Sequence, residues 1–127
     1  MMENVLMSWV RVCAADEVSK DTLKVFKVNG VEILVANLGD EHRAYPPVCP
    51  HMEEPLEESG MCAGGILTCS KHLWQWDMRS GELVHAAEAD EENERLLLMY
   101  DLKREGNELL VRLDHELEYD YGEDEDE

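Results

Sequence analysis

Cys49-Pro50-His51 and, after seventeen intervening residues, Cys69-Ser70-Lys71-His72-Leu73-Trp74-Gln75-Trp76 are the segments on which the reading of this chain turns. They supply two thiols and two imidazoles as two matched Cys/His pairs. Pro50 limits the backbone between the first thiol and its histidine, so that pair is held in a short, stiff loop. Thiolate and imidazole together suit zinc and iron, which makes a metal centre the first reading. A tetrahedral zinc site can use two cysteines and two histidines, although zinc modules usually pair Cys with Cys and His with His. A thiol nucleophile beside a histidine would use one pair and leave the other unexplained. Coincidence would require both pairs to fall by chance in one loop-rich stretch.

Working outward, the segment between residues 46 and 81 holds all four prolines (Pro46, Pro47, Pro50, Pro55) and four glycines (Gly60, Gly64, Gly65, Gly81). Loops are expected to dominate it, with Ile66–Thr68 and Leu73–Trp76 as short strands. The flanks have a different texture. Ser8–Cys13 is rich in β-formers, and Ala14–Val18 reads as a turn or one helical turn. Leu23–Val28 and Val31–Ala36 are separated by Asn29-Gly30, a pair that tolerates positive φ and marks a type I′ hairpin. Arg43–Tyr45 reads as a further short strand. On the other side lie Leu97–Leu102 and Glu108–Leu113, bridged by Glu105-Gly106-Asn107; Glu91–Leu98 could instead form a helical turn. Many short strands at close spacing predict an all-β, antiparallel sandwich or barrel with a loop-rich subdomain at one end.

The 127 residues suit one domain, with no room for a second, catalytic one. We expect it to span residues 1–113, its loop-rich part covering about 46–84, followed by an acidic tail at 114–127. The tail has nine acidic residues and no Lys or Arg, and only Leu117, Tyr119 and Tyr121 as sizeable apolar groups, so disorder is expected there. A second acidic block, Glu88–Glu94, holds five more acids. The formal net charge of −19 would repel nucleic-acid backbones and anionic membranes alike. No run of about eighteen apolar residues exists to span a membrane. The first residues lack the basic and apolar regions of an export signal, so a cytoplasmic protein is expected. In a reducing compartment, cysteines spaced this way from histidines favour metal over disulfide.

The stretch from Tyr45 to Glu82, with its CPH, its glycine-containing approach Gly60–Thr68, its CSKHLWQWD and its Ser80-Gly81 turn, resembles the cluster-binding part of soluble Rieske ferredoxins. The likeness is strongest to the ferredoxin component of multicomponent bacterial monooxygenases that oxidise alkenes or toluene through a diiron hydroxylase. It implies the Rieske fold and one [2Fe–2S] cluster, with Cys49 and Cys69 on one iron and His51 and His72 on the other. It also implies an electron carrier rather than an enzyme. Such a carrier takes one electron from a flavin-containing reductase and docks transiently, as a monomer, on the oxygenase. A ferredoxin of a ring-hydroxylating dioxygenase, the small subunit of a nitrite reductase and, in another class, a zinc-stabilised interaction module are the rival readings. Neutral imidazoles leave the oxidised cluster uncharged, which eases its reduction relative to an all-cysteine site.

The same resemblance assigns lesser roles. Some relatives brace the two loops with a disulfide, but here the corresponding positions are Glu54 and Lys71. High-potential members place hydroxyl donors two and four residues past the second histidine. This chain has Trp74 and Trp76 there, so a potential toward the lower end of the Rieske range, roughly −150 mV, is expected. Cys13 and Cys62 are expected to be packing residues, with Cys62 the lesser candidate for oxidation sensitivity. Met52, Leu56 and Leu73 are expected to form an apolar collar at the cluster tip. His42, His85 and His115 read as solvated surface residues. The family often has a proline near residues 85–90, which this chain lacks, and the acidic tail is also unusual for it.

Overall fold

The computed structural model describes residues 9–50, 55–69, 73–85, 96–113, 117 and 119. These form three antiparallel sheets. The first has the order β1 (Trp9–Ala14), β10 (Glu108–Arg112), β9 (Leu102–Glu105); the second runs β2 (Leu23–Val28), β3 (Val31–Asn37), β4 (His42–Tyr45). The third has β5 (Gly60–Ala63), β6 (Ile66–Cys69), β7 (Gln75–Asp77) and β8 (Leu83–His85) in sequential order. A 3-10 turn at Ala15–Glu17 and a four-residue helix, α1 (Leu56–Ser59), complete the described elements. Among the described residues no helix is long and apolar enough to cross a membrane.

Strand β3 organises the molecule. Ile33, Leu34, Val35 and Ala36 are all fully buried, because side chains on alternate faces of the strand enter two different cores. Leu34 and Ala36 join Tyr45, Leu56, Leu67, Trp76 and both loop cysteines in one core against the third sheet. Ile33 and Val35 join Val12, Val18, Leu109 and Val111 in a second core against the first sheet. A strand buried on both faces reads as an unbroken apolar run, as Ile33–Ala36 does. The Asn29-Gly30 turn before it has φ of +51° and +83°, the positive pair that a type I′ hairpin needs.

The expected all-β architecture is present, with changes in detail. Residues 60–85, read mainly as loops, carry a four-stranded sheet; its strands of three and four residues are too short to show a clear period. The strand expected at Leu97–Leu102 is absent. Strand β9 begins at Leu102, and the preceding segment instead links two sheets: Leu97 N–H donates to Gly81 O at 2.8 Å and Tyr100 N–H to Ala44 O at 2.9 Å. Of the helical alternative at Glu91–Leu98, residues 91–95 lie outside the described residues, and Leu96–Leu98 is not helical. Within the expected disordered tail, Leu117 and Tyr119 are held to the body. The Leu117 N–H donates to the Tyr100 hydroxyl at 2.8 Å, and Tyr119 Oη accepts from Leu98 N–H at 2.9 Å. Both contacts use backbone amides, which no apolar pattern announces. The other tail residues lie outside the described ones.

Candidate metal centre

Each cysteine loop is closed at its base by backbone pairing. The first leaves β4 through Pro46 and Pro47 and returns at an antiparallel bridge between Val48 and Pro55, with Leu56 N–H donating to Pro47 O at 2.9 Å. Helix α1 then fixes the return: Glu57 Oε2 accepts the Val25 N–H at 3.0 Å, which ties the helix to β2. The second loop is the turn between β6 and β7. Cys69 N–H donates to Trp74 O at 3.0 Å, and Leu73 N–H donates to Cys69 O at 2.6 Å. A reversal this tight needs a left-handed residue at its end, and Leu73 takes it, with φ +62°.

Cys49 and Cys69 are both fully buried and belong to the same apolar core. The same core includes Leu34, Leu56, Leu67, Trp74 and Trp76. The two indole rings lie 6.1 Å apart and tilted by 34°, a separation at which aromatic pairs attract. Tyr45, at the end of β4, donates its hydroxyl to Met78 O at 2.6 Å and so joins the second sheet to the third beside the first loop. Burial pushes its phenol pKa up, which keeps the hydroxyl a donor at any ordinary pH. Sequence reasoning missed Tyr45, because its partner is a main-chain carbonyl thirty-three residues away.

His51 and His72 lie outside the described residues, as does Met52. Among the described residues no group of three or more His, Cys, Asp or Glu side chains forms a metal site; the described half of the constellation is its two cysteines. That half fits an iron–sulfur centre. Two thiols from different loops are fully buried in the same apolar core, where a cluster of low net charge is less penalised than a highly charged one. All four cysteines are thiols, in keeping with the missing brace at Glu54 and Lys71. Cys13 and Cys62 pack as expected, one in each core. Burial pushes each of these two thiols up to about 11, so their reactive thiolate forms are scarce at neutral pH.

Two expected roles change. Leu56 is not part of an exposed collar: it is fully buried, since α1, which it begins, turns its side chain inward against Gly60. A methyl group at Gly60 would lie 2.7 Å from Leu56 O. Leu73, by contrast, is 57% exposed. His42 is half-buried rather than solvated, its Nε2 lying 3.0 Å from Ala15 O, while His85 is exposed as expected and His115 lies outside the described residues.

The fold and its paired cysteine loops define an iron–sulfur protein of the Rieske class. Residues 8–104 match the Rieske [2Fe-2S] domain, and the chain belongs to that family. Its prosthetic group is the Rieske [2Fe–2S] cluster, and it is an electron-transfer component rather than an enzyme. The ferredoxin subunit of methanesulfonate monooxygenase from Methylosulfonomonas methylovora is 46% identical over 94% of this chain and 93% of its own length. The ferredoxin component of the alkene monooxygenase system of Xanthobacter autotrophicus is 30% identical over 83% of this chain and 81% of its own. Among solved structures, the ferredoxin of carbazole 1,9a-dioxygenase from Nocardioides aromaticivorans superposes with a TM-score of 0.68 at 27% identity, covering 82% of this chain and 96% of that one. The expected likeness to alkene monooxygenase ferredoxins is therefore present, while the methanesulfonate relative is more similar.

Proposed function

We propose that this protein carries single electrons from a flavin-containing reductase to the oxygenase component of a multicomponent monooxygenase, with Cys49, His51, Cys69 and His72 as the cluster ligands. The observation that carries the reading is the burial of Cys49 and Cys69 in one core, each on a loop closed by backbone hydrogen bonds. Bound there, the cluster supplies a site that accepts and releases one electron. The chain's own residues hold the two cysteines in a buried apolar core. Stiff loop bases also limit how far the ligands must move when the charge changes. A monooxygenase partner is supported by the 46% and 30% identical relatives. A diiron hydroxylase is the form of it that the CSKHLWQWD likeness favours. The dioxygenase alternative draws on the structural similarity to the carbazole dioxygenase ferredoxin. We further propose a cytoplasmic monomer that docks transiently.

The test is chemical and spectroscopic. Full-length protein should contain about two irons and two acid-labile sulfides and, after reduction with dithionite, show the electron paramagnetic resonance signal of a mixed cysteine/histidine cluster. Cys49→Ser and His72→Ala should each abolish that signal. A normal spectrum in either variant overturns the ligand set; a colourless zinc protein without sulfide overturns the whole reading.

A further inference from the structure

We propose that Leu73 is a docking residue: its side chain is the apolar anchor that enters a basic-rimmed recess on the oxygenase component and decides how well that partner is engaged. The inference rests on the electron-carrier reading above and extends it to a residue no ligand assignment includes. The reversal between Cys69 and Trp74 is closed by two main-chain hydrogen bonds and imposes φ +62° on Leu73. Three described non-glycine residues have positive φ: Asp21, Asn29 and Leu73. Asp and Asn tolerate this region because their short polar side chains bond locally, whereas a leucine does not. Glycine would serve the turn better.

Leu73 sits between fully buried Cys69 and nearly buried Trp74, yet is itself 57% exposed. Packing within the chain therefore does little to offset the strained backbone. Among the described residues the other large exposed apolar ones, Met61, Val84 and Leu96, have no positive φ and need no special account. A side chain that opposes its own turn and stands in solvent has its use outside the chain.

Position and charge identify the occupant. In sequence, Leu73 directly follows His72, one of the proposed ligands. Around it the sequence is charged: Lys71 is the only cation between Arg43 and Arg79, and Glu53, Glu54, Glu57 and Glu58 flank the other loop. An apolar side chain in a stretch of charged sequence has the composition of a transient interface, where one anchor is bordered by polar residues. A second copy of a chain with net charge −19 would be repelled, as would an anionic membrane, so a partner with a basic rim is the occupant.

The experiment uses cluster-loaded, full-length protein and, as acceptor, the oxygenase component of the methanesulfonate monooxygenase of Methylosulfonomonas methylovora. Stopped-flow mixing gives the second-order rate of electron delivery for the wild type, Leu73→Gly, Leu73→Ala and Leu73→Met. Glycine and alanine should each slow delivery about tenfold, as expected for loss of one interface anchor, and methionine should restore most of the rate. Thermal stability should not fall in Leu73→Gly, because that variant relieves the turn. The spectrum and midpoint potential should be unchanged in all three. Wild-type delivery rates in Leu73→Gly overturn the proposal, and so does a rate loss that tracks a shifted potential, since Leu73 would then act on the cluster. If the wild type itself delivers no electrons despite an intact spectrum, the carrier reading fails first, and this inference with it.

Discussion

Trp74 and Trp76, which the Rieske resemblance sets where high-potential members carry hydroxyl donors, are both buried in the core that holds Cys49 and Cys69. Their rings add apolar bulk to that core but bring no hydroxyl to stabilise added negative charge. Replacing Trp76 with Tyr supplies one. If its hydrogen bond strengthens by about 1 kcal/mol on reduction, the midpoint rises by roughly 40 mV for a one-electron couple. Redox titration of Trp76→Tyr beside the wild type measures this directly; an unchanged or lower midpoint means hydroxyl donors do not set the potential here. Leu73 is the other residue whose identity runs against its local geometry. A left-handed leucine costs about 1–2 kcal/mol relative to an unstrained backbone. That cost is invisible in the sequence, where Leu73 reads as an ordinary apolar residue in a short strand. The ligand types, in contrast, were legible at once, because the chemistry of a cysteine or histidine does not depend on its surroundings being known.

Among the elements, the β2–β3 hairpin could be read from residues alone, since Asn29-Gly30 encodes its own turn. The third sheet could not. Its strands are three or four residues long and are held by partners rather than by propensity. The seam at Gly81 shows how. Gly81 has φ +84°; its N–H donates to Asp77 O at 2.7 Å, and its carbonyl accepts the Leu97 N–H at 2.8 Å. A methyl group there would lie 2.6 Å from Leu97 O. Gly81→Ala thus combines a strained backbone with a main-chain clash, and should cost about 2–3 kcal/mol, or roughly 10 °C in melting temperature. Thermal unfolding followed by circular dichroism checks the value. A shift under a few degrees would mean that the third sheet tolerates separation from the Leu97 segment. Arg79 reinforces the same region from outside, pairing with Asp40 at 2.5 Å and Glu41 at 3.2 Å across the β3–β4 turn, although exposed pairs of this kind add little stability.

For the molecule as a whole, the two cores govern shape, and the net charge bears on how a partner is met. A net charge of −19 would attract a basic partner over a distance that salt shortens from about 30 Å at 0.01 M to about 8 Å at 0.15 M. The rate of electron delivery to the oxygenase should therefore fall about tenfold or more over that range. Rates independent of ionic strength would remove steering from the account while leaving the cluster untouched. The acid content, the number and type of candidate ligands, the central hairpin and the all-β class were all present in the order of residues. Each follows from local chemistry: side-chain charge, donor type, or a turn that two adjacent residues encode. The rest needed the folded chain. Burial of Cys49 with Cys69, the double-sided burial of β3, the Tyr45 clamp, the Gly81 seam and the outward, left-handed Leu73 all depend on backbone groups far apart in sequence, and a main-chain amide or carbonyl is the same in every residue that could have offered it.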